Sequence, residues 1–182
     1  MFAEHGAAET TAEEVAEAAG VSLRTFYRYF RSKEDAVWPM LARGGAQWRE
    51  YLAAAPPTTP TLEAVQQAAE QALTTSDDAA ADALETTRGL LRAARADEAL
   101  RAVWYRVNGD SEERLVPLLA GLSDAPADPL QLRLLAACAT DAIRIALEQW
   151  AMTDAAADAA DGPAGLSARL MRTLVGSVLH AS

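Results

Sequence analysis

Four basic side chains and four aromatic rings fall within residues 20–34, GVSLRTFYRYFRSKE, of an otherwise acidic chain. The cations are Arg24, Arg28, Arg31 and Lys33, and the single acid, Glu34, comes at the end of the stretch. Guanidinium groups donate to phosphate oxygens and to the edges of bases, and hydroxyl groups donate to phosphates. The stretch therefore has the side chains needed to bind nucleic acid.

Two short predicted helices position these side chains. The first, TTAEEVAEAAG, has Thr11 as its N-cap and ends at Gly20. The second, LRTFYRYF, is capped by Ser22 and carries Phe26 and Phe30 on one face. Two short helices joined by a tight turn predict a helix-turn-helix, whose second helix lies in the major groove of DNA.

The two helices divide into an inner and an outer face. The residues expected to form a small core are Val15, Ala16, Val21, Phe26 and Phe30. Those expected to project outward, with donors for bases and phosphates, are Leu23, Arg24, Thr25, Tyr27 and Arg28. Lys33 opens the next helix beside free backbone N–H groups, which predicts a further phosphate contact.

Composition predicts an all-α, cytosolic protein. Of the 182 residues, 51% are hydrophobic, mostly Ala and Leu, and β-branched and aromatic residues are sparse. No apolar run reaches the ~18 residues of a membrane span, and the N-terminus lacks the features of a signal peptide. One cysteine, Cys138, and two histidines leave no basis for a disulfide or a zinc site. We expect no metal or cofactor.

The net charge of -10 is unevenly distributed along the chain. Residues 1–51 carry six basic and eight acidic side chains, whereas residues 52–182 carry ten and eighteen. An acidic second part disfavours unspecific binding to nucleic acid, while a local basic patch can still bind it.

Six further helices are predicted after the first two. One starts at the cap Ser32, with Glu34 and Asp35 in its first turn, and runs to the prolines of APPTTP. The others span about 61–75, 78–94, 97–121, 128–152 and 163–180. Gly44 and Gly45 weaken the helix before the prolines, as a point of flexibility or as an incidental weak spot.

The stretch TAEEVAEAAGVSLRTFYRYFRSKEDAV closely resembles the DNA-binding signature of TetR-family transcriptional regulators. The resemblance covers about residues 2–38. It implies an all-α fold of about nine helices, a C-terminal ligand-binding domain and a dimer formed by the last two helices. The C-terminal part is most similar to the mycofactocin-regulator-like branch. The family usually has a full helix before FAEHG, so the first helix is expected to be largely missing here.

The resemblance also implies roles for single residues. Leu23 and Arg24 would face base edges, and Arg28 would contact either bases or phosphates. The residues implied to contact the DNA backbone are Thr11, Thr25, Tyr27, Tyr29 and Lys33. Ser22, the cap of the second helix, completes the DNA-binding set.

A ligand pocket and a dimer interface are expected in the second part. The candidate pocket residues are Trp48, Tyr51, Trp104 and Tyr105, with Asn108 or Arg144 as polar contacts for a largely apolar ligand. Aromatic residues at helical spacing more often form a plain core, and Arg144 could instead pair with Asp141 at the surface. The apolar side chains expected at a two-fold, four-helix interface are Leu134, Ile143, Leu147, Trp150, Leu166, Leu170, Leu174 and Val178.

Catalysis finds no support in the sequence, which has neither a Gly-rich phosphate loop nor a nucleophile with a plausible partner histidine. We expect a homodimeric, ligand-responsive repressor that binds operator DNA, with a DNA-binding domain at 1–52 and a regulatory domain at 53–182. The alternative is a helical protein that binds small molecules and no longer binds DNA. An enzyme is the third and weakest hypothesis.

Overall fold

The computed structural model describes residues 2, 6, 9–122 and 128–180, with side chains described as far as residue 175. This part of the chain is all-helical, as predicted. Its α-helices are α1 (Ala12–Ala18), α2 (Leu23–Tyr29), α3 (Trp38–Ala53), α4 (Thr61–Leu73), α5 (Asp78–Ala96), α6 (Glu98–Gly121), α7 (Pro129–Ala151) and α8 (Pro163–His180).

Polar caps set the starts of most helices. Thr11 and Glu14 form a capping box on α1: the Glu14 amide donates to Thr11 Oγ1 at 3.2 Å, and the Thr11 amide donates to Glu14 Oε2 at 2.8 Å. The Leu100 amide donates to Asp97 Oδ1 at 2.8 Å and fixes the start of α6. Gly20 has a φ of 67°, a left-handed conformation that most residues avoid, and it ends the first helix as expected. Further side-chain caps are Ser22, Asp77 and Asp128.

The helix predicted to start at Ser32 is less regular than expected. Ser32 does accept a hydrogen bond from the Asp35 amide, at 3.3 Å. However, the first turn, Glu34–Val37, is a 3₁₀ helix, and the α-helix begins only at Trp38. Pro39 fits the first turn of α3 because its missing N–H would have no partner there.

The N-terminal helices form a small head around three buried residues, Ala12, Ala16 and Phe26. The Phe26 and Phe30 rings lie 5.2 Å apart between centroids, as their spacing predicted. The expectation that Val21 joins this core is wrong, because its side chain is exposed. The turn between α1 and α2 points Val21 to solvent, and Leu23 and Ala36 pack against the core instead.

The remaining helices form a body with two apolar cores. One core lies around Trp104 and Trp150, and the other around Trp48 and Leu115. The helix α7 packs along α8 and against α6, while α3 packs on α4 and α6. Although α3 falls within the range expected for the DNA-binding domain, its inner residues contribute to the body. No helix in the described ranges is long and apolar enough to cross a membrane.

Head and body meet at the 3₁₀ turn. Arg106, on α6, donates from Nη2 to Asp35 Oδ1 at 2.5 Å. Val37 and Leu41 continue from this turn into the core around Trp104. We call the Asp35–Arg106 pair and these apolar contacts the head–body joint. Any movement of α3 relative to α6 changes this joint.

The segment between α7 and α8 is held by Arg88. Its guanidinium lies 3.8 Å from the centroid of the Trp150 ring and donates a hydrogen bond to the carbonyl of Ala155. Trp150 Nε1 also donates to the Ala155 carbonyl, at 3.0 Å. A stacked, hydrogen-bonded Arg therefore fixes the connection between the last two helices.

Candidate nucleic-acid interface

The outward face of α2 carries the longest exposed side chains of the head. Arg24 and Arg28 are exposed, and Tyr27 and Tyr29 have 52% and 70% of their surface accessible. Arg28 Nη2 donates to Tyr29 Oη at 3.2 Å, with the guanidinium 4.9 Å from the centroid of the Tyr29 ring. Arg24 forms neither a hydrogen bond nor an ion pair with any described residue. Its five donors are therefore available to a base edge or a phosphate.

The hydroxyl groups predicted to touch DNA have structural roles in the free protein. Ser22 Oγ accepts the Thr25 amide at 3.2 Å and lies 3.0 Å from Thr25 Oγ1. Thr11 Oγ1 takes part in the capping box of α1 and also donates to Glu14 Oε2 at 3.0 Å. These groups fix the starts of the two helices, so a contact with phosphate would add to that role.

Two other predicted contacts have surroundings that the sequence did not indicate. Leu23 is half-buried against the head core, so only part of its side chain can face DNA. Lys33 Nζ donates to the Thr10 carbonyl at 2.7 Å and lies 3.7 Å from Glu34 Oε1. Lys33 therefore ties the chain before α1 to the turn after α2, so a contact with phosphate would compete with or add to that structural role.

Residues 1–36 match the family model for bacterial regulatory proteins of the tetR family. The head is therefore similar to the DNA-binding domains of this family. The match indicates a DNA-binding transcriptional regulator, and it covers the capped helices α1 and α2 together with the basic outer face. It ends before α3 and lends no support to the mycofactocin-regulator-like branch. No curated protein matches the chain significantly.

The four aromatic residues expected to line one pocket lie in different places. Trp48 and Tyr51 belong to the core around Leu115, and Trp48 Nε1 points at the carbonyl of Val65, 3.5 Å away. Trp104 and Tyr105 instead border an open cleft of about 230 Å³ between α5, α6 and α7. The structure thus does not bring the two pairs together, because Trp48 and Trp104 belong to different cores and Tyr105 is exposed.

The expected polar contacts of the ligand already have partners. Asn108 Nδ2 donates to the Trp104 carbonyl at 2.8 Å within α6. Arg144 pairs with Asp141 at 2.8 Å, the alternative left open by the sequence, and with Glu148 at 3.0 Å. Burial works to lower the pKa of Arg144, but its hydrogen bond to Asp141 and the charge of Glu148 outweigh burial and raise it. Arg144 is therefore part of a closed ionic network.

The predicted dimer residues differ in how far they are exposed. Leu147, Trp150 and Leu166 are buried inside the protomer, which leaves them no surface for a partner. Ile143, Leu170 and Leu174 are half-buried against the body cores, and the side chain of Val178 lies outside the described residues. Leu134 is half exposed. Sequence reasoning missed its exposed neighbours on α7, Leu130 and Ile145, which a helical spacing of four and eleven residues from Leu134 could have indicated.

A second cleft, between α3 and α6, was not predicted at all. It has a volume of about 270 Å³, and its lining includes Arg43, Arg49 and Arg114. The sequence signal that could have indicated this cleft is the placement of Arg43 and Arg49 on either side of Gly44 and Gly45. Within the described part of the chain, no three His, Cys, Asp or Glu residues come together as a metal site.

Proposed function

We propose that this protein is a ligand-responsive transcriptional repressor that binds operator DNA as a homodimer. The observation that carries the proposal is the outer face of α2, where exposed Arg24, Tyr27, Arg28 and Tyr29 stand on a helix fixed by a polar cap and a buried phenylalanine. A rigid helix that presents a bidentate donor suits the major groove.

Binding to operator DNA is the first test. Arg24→Ala is expected to reduce affinity by about 1–3 kcal/mol and to relax specificity at one base pair in each half-site. Lys33→Ala is expected to weaken binding to all sequences alike and to lower the salt slope by about one. Fluorescence anisotropy with DNA from upstream of the coding region, at several salt concentrations, measures both effects.

Arg95→Ala is the control variant for both DNA-binding measurements. Arg95→Ala removes one charge from α5, outside the head, and is expected to leave both specificity and the salt slope unchanged. If the protein shows no binding to duplex DNA above background, the result would favour the alternative in which it binds small molecules and no longer binds DNA. Equal, sequence-independent losses for Arg24→Ala and Lys33→Ala would remove the base-reading role of Arg24. The folding of Lys33→Ala is checked by a thermal melt, because the hydrogen bond from Lys33 to the Thr10 carbonyl also supports the head.

Dimerisation is proposed through the outer face of α7. Leu130, Leu134 and Ile145 are exposed there, with half-buried Cys138 between them. These positions are spaced by four, four and seven residues and so form one apolar stripe along the helix. Packing this stripe on the same stripe of a second copy would give a two-fold interface and two recognition helices per dimer.

The proposed switch acts through α3. A dimer binds two half-sites only when its recognition helices are separated by about one DNA turn, roughly 34–36 Å. Since α3 follows directly from the 3₁₀ turn of the head and packs on α6, a ligand that changes the angle between α3 and α6 alters that separation. The ligand must bind one of the two arrangements more tightly, because equal affinity shifts nothing.

A further inference from the structure

The cleft between α3 and α6, named here the α3–α6 cleft, concentrates positive charge in an acidic protein. Its lining contains three arginines, Arg43, Arg49 and Arg114, and one carboxylate, Asp110. The whole chain has a net charge of -10. The local excess of positive charge therefore opposes the general trend of the molecule and attracts a small anion.

The three arginines have no carboxylate partner among the described residues. Within the described ranges, none of the three forms a salt bridge, and neither Arg43 nor Arg114 donates a hydrogen bond to a protein group. Arg49 Nη1 donates to the buried hydroxyl of Ser111 at 2.8 Å, which fixes its guanidinium at the floor of the cleft. Guanidinium groups with free donors around a fixed one are suited to a planar, doubly accepting oxyanion.

Repulsion among these groups is already visible in the free protein. Burial, followed by the charge of Arg114, lowers the pKa of Arg49, and the charge of Glu50 only partly offsets this effect. Two like charges near each other, one of them partly buried, cost free energy that a bound anion would recover. Arg49 and Arg114 are thus close enough to repel each other, and neither is paired with a carboxylate in the part of the chain that the structure describes.

The walls of the cleft are apolar and narrow. The Trp38 ring and the side chain of Val107 line it, and α3 approaches α6 closely at Gly45, where a Cβ atom would lie 3.0 Å from Ser111 Oγ. The volume lies near the lower end of the range of about 300–1,000 Å³ typical of ligand pockets, so the ligand is small. An apolar stem would contact these walls, which a bare inorganic anion could not use.

We infer that the α3–α6 cleft binds a small organic carboxylate, with its carboxylate between Arg49 and Arg114 and its apolar stem toward Trp38. Asp110 disfavours a doubly charged phosphate more than a singly charged carboxylate, since the repulsion doubles with the charge. The inference rests on the proposed function only for its consequence, which is that the bound carboxylate wedges α3 from α6 and is the effector of the switch.

Calorimetric titration of the DNA-free full chain tests the site directly. The probes are sodium phenylacetate and sodium hexanoate, with phenylacetamide as the uncharged counterpart and inorganic phosphate as the dianion. Saturable binding of both carboxylates is expected, with affinity at least about 10-fold above that of phenylacetamide. Phosphate is expected to bind more weakly than either carboxylate.

Variants locate the binding. Arg114→Gln changes an exposed side chain that forms no hydrogen bond or ion pair within the described ranges, and it is expected to weaken phenylacetate binding by about 10-fold. Arg49→Gln is expected to weaken it at least as much, with folding checked by thermal melting because the Ser111 contact is lost. The matched control is Arg95→Gln, which removes an arginine from the other cleft and is expected to leave the affinity unchanged.

Several outcomes overturn the inference. It is refuted if neither carboxylate gives saturable binding, if phenylacetamide binds as tightly as phenylacetate, or if Arg114→Gln leaves the affinity for phenylacetate unchanged. If Arg43→Gln and Arg114→Gln instead lower the salt slope of DNA binding without any probe present, the arginines contact DNA phosphates and the carboxylate site is refuted. A carboxylate that binds while operator DNA does not would refute the proposed function and leave the site intact.

Discussion

Breaking the Asp35–Arg106 ion pair should loosen the orientation of the head. The contact joins Arg106 Nη2 and Asp35 Oδ1 at 2.5 Å, and the two side chains are 47% and 16% exposed. Exposed pairs contribute about 0.2–1 kcal/mol, and the shielding of Asp35 places this pair in the upper half of that range. We therefore expect a coupling free energy of about 0.5–1 kcal/mol between Asp35→Asn and Arg106→Gln.

A double-mutant cycle measures this coupling. Urea unfolding of the parent chain, the two single variants and the double variant isolates the pair from the other contacts of Asp35, such as its bond from the Arg31 amide. In about 1 M salt, where the Debye length falls to about 3 Å, the coupling is expected to shrink. The same loss is expected to reduce operator affinity by up to about fivefold.

The cycle has a built-in control. Combining Asp35→Asn with Arg95→Gln pairs two side chains that share no contact, and their effects are expected to add. A coupling of zero for Asp35 and Arg106 in low salt would refute the idea that this pair holds the head. Full coupling with unchanged operator affinity would instead separate the stability of the joint from DNA recognition.

Three other regions give further predictions. Leu134→Glu combined with Ile145→Glu is expected to give folded monomers in sedimentation, because both side chains are exposed in the protomer; an unchanged dimer would move the interface elsewhere. Arg88→Gln is expected to cost roughly 2 kcal/mol in urea unfolding, since it loses the stack on Trp150; a loss near zero would contradict the clamp. Burial, and then the charge of Asp141, raises the pKa of the Cys138 thiol, so its alkylation by iodoacetamide is expected to begin at a higher pH than that of a free cysteine; equal pH profiles by mass spectrometry would contradict this.

The sequence was sufficient for the helices because their boundaries depend on local chemistry. Asp97 and Asp128 cap α6 and α7 through hydrogen bonds to amides two or three residues away, and Pro163 opens α8 where it was expected. The family resemblance added to these local signals in predicting the two short helices of the head. The onset of α3 was displaced to Trp38 because the preceding turn is 3₁₀. The Asp35 amide donates to Ser32 Oγ as it would to an N-cap, so the local signal at Ser32 does not distinguish the two helix types.

The sequence was insufficient wherever the rotation of a helix decides the outcome. The sequence around an apolar residue such as Trp150 does not show whether its own chain or a partner subunit covers the side chain. In this structure Trp150 is covered by Arg88 and by the core of its own chain. Trp48 and Trp104 similarly lie on different cores. The α3–α6 cleft depends on contacts between residues far apart in sequence, such as Arg49 and Ser111, which no local pattern reveals.

The small size of the head core has a consequence for how the protein meets DNA. Helices α1 and α2 have seven residues each, fewer than the ~12–15 that an isolated helix needs, and two of their three buried residues are alanines. The head is therefore expected to open locally at a lower free energy than the body, with faster amide hydrogen exchange in α1 and α2 than in α6 and α7. A DNA that binds only the closed head would stabilise it by about 2.7 kcal/mol at a concentration 100 times its Kd. Operator DNA would then act on the head as a folding ligand as well as a target.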